Sequence, residues 1–485
     1  MTALPDDQDL TLDEVVVTAA QMQQIEAALF AAGLPVAALM EKVAGRIAQW
    51  VMAHYPRDRT PTIGCIVGPG HNGGDALVVA RELHHQGYQV LLWCPFTTLK
   101  PLTAQHQAYA AYLGLTVVAE VSALQASDLI VDGGFGSGLT RPLSGAFAQG
   151  LETINTWAIP VVSLDLPSGL ATDSGAVLGA ALRATHTLCL GLWKLGLLQD
   201  QALPWVGTRH LLPFDIPLST IAAVLADSAP LRRLTAQRAI AALPLPRSPI
   251  AHKYTAGHAL LIAGSAQYGG AALLAAQGAI ASGVGMLTVV VPASLRLMVL
   301  SHMPEALVLG APETATGAIA QLPSLLPWAQ YDAVACGPGL TLQAEAVMAQ
   351  ILACDRPLIL DADGLNWLAH HDPLQTLRQR TAPTLLTPHP GEFRRLFPTL
   401  GLETTLPGEM ARQAAQAAHC TLVLKGAMSA IAHPKGHLWL NPESSPALAR
   451  GGSGDVLTGL VCGLAAQHGQ TRPHSPDNLW QSAIA

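Results

Sequence analysis

The chain has 485 residues, too many for one ordinary domain, and two or three domains are expected. Hydrophobic residues make up 50% of it and charged residues only 12%, about half the usual charged share, which excludes a mainly disordered or linker protein. The 26 Lys and Arg residues against 33 Asp and Glu residues give a net charge of -7, and no basic run supplies the stripe that nucleic-acid backbones require.

The N-terminal sequence MTALPDDQDL is acidic and has neither the basic nor the apolar region of a signal peptide. The seven cysteines are scattered, and no two are spaced as a CxxC pair. Both features predict a cytoplasmic protein with reduced thiols and no export.

The first half of the chain alternates apolar runs with Ala-rich helical stretches, a pattern that predicts parallel strands joined by crossover helices. We therefore assign the chain to the α/β class. The predicted strands of this half are Ile63–Val67, Gln89–Trp93, Leu129–Asp132, Val161–Asp165 and Thr187–Gly191.

The proline-rich stretch between residues 219 and 250 interrupts the pattern and predicts a domain boundary near residue 225. The expected domains are therefore residues 1–224 and 225–485, each a three-layer α/β/α unit. The predicted strands of the second half are Ala259–Ala263, Leu287–Val291, Ala333–Cys336, Leu358–Asp361, Thr384–Thr387 and Leu422–Leu424.

The stretch from His258 to Leu295 contains no Asp, Glu, Lys or Arg and is long enough to cross a bilayer. Its glycines and polar residues divide it into a strand, a turn, a small-residue helix and a second strand. A buried α/β unit is therefore favoured over a membrane span.

A Gly-rich turn, GPGHNGGD at residues 68–75, follows the first predicted strand and opens a helix. Backbone N–H groups at such a turn bind phosphate well. The turn lacks the Gly-Lys-Ser/Thr of a Walker A loop and only loosely imitates the dinucleotide-binding GxGxxG pattern. The alternative is a plain strand-to-helix turn in which Asn72 or Asp75 caps the helix.

Asp132 and Asp165 each end a predicted strand, and the carboxyl ends of parallel strands line one crevice. With Asn72 and Ser168 nearby, Asn72, Asp132 and Ser168 form an oxygen set suited to K⁺ rather than zinc. The alternative role for each of these residues is capping the next helix or loop.

In the second half, ARGGSGDVL places a glycine and serine turn, Gly451 to Gly454, before an apolar helix expected to begin at Asp455. The turn and the helix dipole would form an anion hole, and Asp455 could take a proton from a hydroxyl during phosphoryl transfer. The alternative is an N-capping Asp after a flexible turn.

The ordered motifs LMEKVAG, GPGHNGGD, VDGGFGSGL, DLPSG and GLWKLGLL, spread over about residues 15–215, closely resemble the epimerase half of bifunctional NAD(P)H-hydrate repair enzymes. The resemblance implies a Rossmann-like fold, Asp165 as catalytic residue, and Asn72, Asp132 and Ser168 as K⁺ ligands. The residues it implies in contact with the hydrated dinucleotide are His71, Asn72, Gly73, Gly74, Asp75, Gly136, Ser137, Gly138, Leu139, Thr140, Arg141, Pro142 and Asp165.

The combination of GGSGD with DADGLN, HPGEF and KGAMS, over about residues 230–470, resembles the ribokinase-like NAD(P)H-hydrate dehydratases that depend on ADP or ATP. This resemblance implies that Ala271, Gly339, His389 and Asp455 contact the hydrated nucleotide, with Asp455 catalytic. It also implies an adenine-nucleotide site formed by Lys425, Gly426, Ala427, Met428, Ser429 and Gly454. Taken singly, His389 could instead be a loop imidazole against Pro388 and Pro390, and Lys425 a solvated strand end.

Together the resemblances imply repair of hydrated NADH and NADPH (NADHX and NADPHX), with ADP or ATP as phosphoryl donor, K⁺ and Mg²⁺. No nucleic-acid or membrane partner is expected, and the Ala-rich helix faces favour a homo-oligomer. The alternatives are a ribokinase-like small-molecule kinase, and a first half that only binds nucleotides. A serine hydrolase built on Ser168, His186 and Asp165 is disfavoured because LPSGL is not the G-x-S-x-G elbow.

Two residues depart from the resembling family. Ala76 stands where the family usually has glycine, which puts tight dinucleotide contact at that turn in question. Met428 replaces the usual glycine of KGAGT and is expected to bring a thioether near the phosphate or ribose.

Overall fold

The computed structural model describes residues 11–324, 326–400, 404–471 and 476–485. The chain forms two compact units that divide between Ser228 and Ala229. The boundary predicted near residue 225 falls at the end of the helix Leu218–Leu225, the last helix before this division.

The first unit contains a seven-stranded parallel sheet and a separate two-stranded sheet. Its strands are β1 (Val16–Val17), β2 (Thr62–Val67), β3 (Gln89–Trp93), β4 (Thr116–Val118), β5 (Leu129–Gly133), β6 (Val161–Leu164), β7 (His186–Leu190), β8 (Trp193–Lys194) and β9 (Thr208–Leu212). The large sheet has the order β4-β3-β2-β5-β6-β7-β9, and β1 pairs with β8. The central strands β5 and β6 are buried along their whole length because helices cover both faces of the sheet.

The helices of the first unit surround this sheet, and the cores on its two faces are separate clusters of buried apolar residues. The helices are α1 (Ala19–Ala31), α2 (Val36–His54), α3 (His71–His85), α4 (Pro101–Tyr112), α5 (Gly145–Ile154), α6 (Leu203–Val206) and α7 (Leu218–Leu225). The apolar stripe of α2, from Leu39 to Val51, is buried against the core.

The second unit contains a ten-stranded sheet. Its strands are β10 (Leu231–Arg233), β11 (His258–Ile262), β12 (Met286–Pro292), β13 (Leu307–Ala311), β14 (Ala333–Cys336), β15 (Leu358–Leu360), β16 (Thr384–Leu386), β17 (Thr421–Leu424), β18 (Ser429–Ala432) and β19 (Leu438–Asn441). The order is β10-β19-β18-β17-β16-β15-β14-β11-β12-β13, and only the β17-β18 and β18-β19 pairs are antiparallel.

Ten helices of the described residues flank that sheet. They are α8 (Ala236–Ala242), α9 (Gly269–Ala281), α10 (Arg296–His302), α11 (Glu345–Ala353), α12 (Ala362–Ala369), α13 (Pro373–Gln379), α14 (Pro390–Leu396), α15 (Pro407–Ala418), α16 (Ser453–Thr471) and α17 (Pro476–Ile484). Small residues let α9 and α16 pack closely, since a Cβ added to Gly459 would lie 1.8 Å from the carbonyl oxygen of Ala275.

The α/β prediction is confirmed, and every predicted strand is present with its ends shifted by at most one residue. The charge-free stretch from His258 forms β11, α9 and β12, as the buried α/β interpretation requires. Within the described residues no single helix is both long and apolar enough to cross a bilayer; α1 and α2 pass that test only when joined, across a 119° bend.

One of the shifted strand ends lies at the first-unit site. The strand β6 stops at Leu164 because Asp165 adopts a left-handed backbone with φ 66°. This conformation is unfavourable for a residue with a Cβ and turns the chain out of the sheet at the point where the first-unit site lies.

Candidate functional site

A cavity of about 710 Å³ lies in the first unit and collects many of the residues singled out in the sequence. Apolar side chains of α1 and α2, including Phe30, Leu39 and Met40, form part of its wall. The predicted substrate contacts that line it are His71, Asn72, Asp75, Gly136, Ser137, Gly138, Leu139 and Asp165. The predicted contacts outside its lining are Gly73, Gly74, Thr140, Arg141 and Pro142.

The Gly-rich turn brings the start of α3 to this cavity. Gly70 is the N-cap residue, and no side chain caps the helix, so the alternative of a cap by Asn72 or Asp75 is wrong. Gly73 and Gly74 are buried and serve packing: an added Cβ would lie 1.9 Å from the Gly68 carbonyl oxygen at Gly73 and 2.6 Å from the Met40 methyl at Gly74. Glycine is therefore required at Gly73 whether or not a ligand binds, whereas a side chain at Gly74 would need the flexible end of Met40 to move.

Asp165 is held at the cavity by a buried lysine. Its Oδ1 lies 2.6 Å from Nζ of Lys194, which is 1% exposed, and its Oδ2 accepts a hydrogen bond of 3.0 Å from the Ser137 backbone N–H. Burial alone would raise the pKa of Asp165, but Lys194 and the hydrogen bonds from Ser137 outweigh it and lower that pKa below its usual value. The carboxyl group is therefore ionised.

Lys194 was missed in the sequence analysis, although GLWKLGLL contains it. A lone lysine within an apolar run is the signal that could have found it, because a buried cation needs an anionic partner. The pairing of β1 with β8 places Lys194 opposite Val17, and Nζ also donates to the Leu190 carbonyl oxygen. Burial lowers its pKa, but Asp165 outweighs burial and raises it.

Two further acids, Glu26 and Asp75, line the same cavity. Burial raises the pKa of both groups, most strongly that of Asp75, and the negative charge of Asp165 adds to the rise. The cavity therefore holds one ionised carboxylate and two carboxyl groups that retain their protons to higher pH. Lys100 and His71 add basic groups to its lining.

The predicted cation ligands Asp132 and Ser168 lie beneath the cavity, fully buried. The Asp132 carboxylate accepts hydrogen bonds from the Ser163 and Ser168 hydroxyls at 2.8 and 2.6 Å and from the Ser168 and Gly134 backbone N–H groups. Neither residue caps a helix, but the alternative that they cap a loop is confirmed. Asp132 accepts a hydrogen bond from the Gly134 backbone N–H at 3.1 Å, and the Ser168 hydroxyl accepts one from the Phe135 backbone N–H at 2.8 Å.

Asn72 and Asp165 both contact Gly136. A Cβ added to Gly136 would lie 3.3 Å from Cγ of Asn72 and 2.9 Å from Oδ2 of Asp165, so the two side chains are close to each other. Nδ2 of Asn72 is buried without a hydrogen-bond partner. No cation pairs with Asp132 in the part of the chain that the structure describes. The Asp132 carboxylate, the Ser168 hydroxyl and the side-chain carbonyl oxygen of Asn72 are hard-oxygen donors, the kind of ligand that a monovalent ion takes.

Ala76 does not reach the cavity. It is fully buried on α3, and its methyl group would meet a Cβ added to Gly133 at 2.3 Å. The methyl group therefore fills space against the end of β5, and the concern that it obstructs a dinucleotide is not supported by its position.

The second-unit site lies at the start of α16. This helix begins at Ser453, two residues before the predicted start. The preceding Gly452 has φ 88°, and the Ser453 hydroxyl donates to the Leu448 and Arg450 carbonyl oxygens. Asp455 is consequently in the first turn of the helix. A Cβ on Gly451 would meet nothing within 4 Å, so the turn has open space beside it.

Lys425 reaches this turn. Its Nζ lies 2.8 Å from Oδ1 of Asp361 and would lie 3.5 Å from a Cβ added to Gly454. The interpretation of Lys425 as a solvated strand end is therefore wrong. Burial and the negative charge of Asp361 raise the pKa of Asp455 to about 6, with Lys425 opposing them.

The remaining predicted nucleotide contacts lie between β17 and β18. Gly426 and Ala427 are exposed, and the Ser429 hydroxyl donates to the Gly426 carbonyl oxygen at 3.3 Å. Met428 is only 5% exposed, so its side chain is largely withdrawn from any ligand at this turn.

Two of the predicted substrate contacts of the second unit pack against each other. Gly339 has φ 62°, and a Cβ added to it would lie 3.0 Å from the Cβ of Ala271.

His389, another predicted substrate contact, caps α14. Its Nδ1 accepts hydrogen bonds from the backbone N–H groups of Gly391 and Glu392 at 2.9 and 3.3 Å. In the neutral ring the proton is therefore on Nε2, which lies 3.6 Å from Oε1 of Glu392. The His389 side chain is 53% exposed, so a ligand can reach this nitrogen. No group of three or more His, Cys, Asp or Glu side chains among the described residues is arranged to hold a metal ion.

Comparisons with known proteins match both units. The family described as YjeF-related protein N-terminus matches residues 36–196, and the family described as NAD(P)H-hydrate dehydratase matches residues 259–483. A crystal structure of the ADP/ATP-dependent NAD(P)H-hydrate dehydratase from Bacillus subtilis, co-crystallised with ATP and Mg²⁺, is 35% identical, covers 53% of this chain and 87% of that chain, and has a TM-score of 0.44.

Two full-length relatives carry the same name, bifunctional NAD(P)H-hydrate repair enzyme Nnr. The protein from Thermosynechococcus vestitus is 54% identical over 97% of this chain and 92% of its own length. The protein from Synechocystis sp. is 52% identical over 93% of this chain and 86% of its own length. The chain thus belongs to the family of bifunctional NAD(P)H-hydrate repair enzymes.

Proposed function

We propose that the two units of this chain divide the repair reaction, with epimerisation in residues 1–224 and dehydration in residues 225–485. The substrates are NADH and NADPH that carry a hydroxyl group at C6 of the nicotinamide ring, in R and S forms. The first unit interconverts the two forms, and the second returns the S form to NADH or NADPH.

In the first unit, Asp165 is proposed to handle the proton of the water that enters or leaves C6. The ring nitrogen expels the hydroxyl group, and water adds to the resulting planar iminium from the opposite face. The incoming water must lose a proton, and the ionised Asp165, 2.6 Å from Lys194, is the base in the cavity best suited to take it. Glu26 and Asp75, whose pKa values burial raises, are acids available to the leaving hydroxyl group.

K⁺ is proposed to bind near Asn72, Asp132 and Ser168. When bound, it would neutralise the buried Asp132 carboxylate and stabilise negative charge close to the cavity. Asp132 meanwhile orders the loop after β6 through its two hydrogen bonds to Ser168. This loop follows Asp165, so the same contacts fix the position of the proposed base.

In the second unit, Asp455 is proposed to accept the proton of the C6 hydroxyl group as its oxygen attacks the terminal phosphoryl group of ADP. The oxygen–phosphorus bond forms, the bond to AMP breaks, and phosphate then leaves C6 as C5 loses a proton. The products are NAD(P)H, AMP, phosphate and a proton. Backbone N–H groups of the Gly451 to Gly454 turn would stabilise the charge on the transferred group.

We propose ADP rather than ATP as the donor, held by the turn between Lys425 and Ser429 together with Gly454. Mg²⁺ would arrive with the nucleotide, because the described residues offer no ready cage of acidic ligands and Mg²⁺ commonly binds through substrate phosphates.

The observation that best supports this proposal is the gathering of His71, Asn72, Asp75 and Asp165 around one cavity with the lysine-paired carboxylate at its wall. The test uses a mixture of R and S NADH hydrate with K⁺, Mg²⁺ and either ADP or ATP, followed by the recovery of near-ultraviolet absorbance. Full recovery with ADP is the expected result.

Each other outcome contradicts one part of the proposal. Recovery that stops when the S form is spent would remove the epimerase assignment. Recovery with ATP but not with ADP would show that ATP is the phosphoryl donor. A stable phosphorylated product without recovery would favour the small-molecule kinase alternative. An Asp165→Asn protein should bind hydrate without interconverting its epimers, and an Asp455→Ala protein should release no AMP from ADP.

A further inference from the structure

Asp361 occupies the N-cap position of α12, directly after β15, yet its carboxylate does not cap that helix. An Asp in this position usually accepts a hydrogen bond from its own helix. Here the carboxylate is directed elsewhere and is only 2% exposed. A buried carboxylate that forgoes its local partner must be satisfied by other contacts.

Those contacts come from two other elements of the second unit. Oδ1 lies 2.8 Å from Nζ of Lys425, which follows β17, and Oδ2 accepts a hydrogen bond of 2.7 Å from the Thr458 hydroxyl on α16. A Cβ added to Gly454 would lie 3.5 Å from both Lys425 Nζ and Asp361 Oδ2. The ion pair therefore lies against the glycine turn that precedes Asp455.

We propose that Asp361 is a positioning residue, which holds Lys425 against the Gly454 turn for the transferred phosphoryl group and places a fixed negative charge beside Asp455. The inference rests on the proposed phosphoryl-transfer function of this unit. Lys425 has three N–H donors, and within the described residues one of them bonds to Asp361, which leaves two to meet phosphoryl oxygens.

The negative charge of Asp361 has a separate effect on Asp455. The charged groups that face Asp455 are Asp361, Lys425 and Asp363. Burial is the largest cause of the raised pKa of Asp455, and Asp361 is the next. Asp361 therefore makes Asp455 a stronger proton acceptor, whereas the positive charge of Lys425 lowers the pKa of Asp455.

The experiment compares the wild-type chain with Asp361→Asn, which keeps the shape of the side chain but removes its charge. The readouts are the KM for ADP, kcat for dehydration of the S hydrate, and the pH profile of kcat/KM. We expect kcat/KM to fall about tenfold or more, because Lys425 loses a charge-assisted partner. We also expect the acidic limb of the profile to move to lower pH, because a like charge beside Asp455 is gone.

Three further variants separate positioning from general damage. Thr458→Val should reproduce part of the loss in kcat/KM, whereas Thr458→Ser, which keeps the hydroxyl group, should restore it. Asp363→Asn removes the other nearby carboxylate, which accepts a hydrogen bond from the Thr341 backbone N–H at 2.9 Å. It should shift the acidic limb less than Asp361→Asn and leave the KM for ADP near the wild-type value.

The outcomes distinguish the inference from the function on which it rests. A wild-type chain that dehydrates with neither ADP nor ATP overturns the proposed function. A functional wild-type chain whose Asp361→Asn variant folds, keeps its kcat/KM and keeps its acidic limb overturns the role of Asp361 alone. If Asp361→Asn does not fold, as judged by thermal melting, equal activities of Thr458→Val and Thr458→Ser overturn it.

Discussion

Asp455 should make the apo protein less stable because of the same environment that suits it to catalysis. Its pKa is raised from 3.8 to about 6, first by burial and then by Asp361. A carboxyl group whose pKa is raised on folding favours the folded state only in its neutral form. The folded protein therefore loses stability as the pH rises from 3.8 to about 6, and replacing Asp455 with Asn should recover it.

The size of the effect follows from the shift. The two values differ by about two units, and each unit corresponds to about 1.4 kcal/mol, which sets a ceiling of about 3 kcal/mol above pH 7. Asp455 is partly exposed, so solvent screening reduces the expected gain to about 1–2 kcal/mol. The gain should shrink as the pH falls through 6 and should vanish below the ordinary value of 3.8.

The assay is urea unfolding of wild type and Asp455→Asn at pH 4, 6 and 8, following the transition that ADP shifts, which identifies the second unit. Glu305→Gln, a change at an exposed carboxylate of the same unit, is the control and should change little at any pH. An Asp455→Asn protein that is inactive but no more stable than wild type at pH 8 would refute the argument that Asp455 is strained by burial.

Three predictions concern the first unit. Lys194→Met should lower the free energy of unfolding by about 3–5 kcal/mol, because it leaves the buried Asp165 carboxylate unpaired. The double variant Lys194→Met with Asp165→Asn should lose less stability, and urea unfolding of the single and double variants measures the two losses. Ala76→Gly should lower the free energy of unfolding by about 1 kcal/mol, because glycine has a lower helix propensity and the packing of the methyl group is lost. The KM of epimerisation should not change, since the methyl group contacts the Gly133 region and not the cavity; a lower KM would show that the methyl group obstructs the ligand. His186 and His210, whose ring nitrogens lie 3.2 Å apart, have pKa values lowered mainly by burial, so the stability of the folded protein should fall as the pH drops below the ordinary value of 6.5. In thermal melts between pH 8 and pH 5, His210→Phe should make this loss of stability less steep, and an unchanged slope would contradict the argument.

Strands that are apolar and central were readable from the sequence, whereas short edge strands were not. The strands β2, β5 and β6 are buried on both faces, so their composition alone marks them. The edge strands β4 and β13 are also rich in apolar residues, but some of these, such as Val117 and Leu307, are exposed, so composition does not show how the strands are buried. They are strands because a neighbour supplies hydrogen bonds, and that neighbour is distant in sequence.

The candidate sites show the same division between local and long-range information. Residues in glycine-rich turns, such as Asn72 and Asp455, were predicted because the turn and the following helix are continuous in sequence. Lys194 and Asp361 were not, since each acquires its role from a partner brought across the sheet: Asp165 for Lys194, and Lys425 for Asp361.

Both missed residues are buried charges at positions where a local rule predicts something else. A lysine in an apolar strand should be solvated, and an aspartate at an N-cap should bond to its own helix. Each departure is stable only because an opposite charge lies within 3 Å. Ionisable residues that break a local rule inside an apolar segment are therefore the ones to test first for a function, even when the motif that contains them assigns them no role.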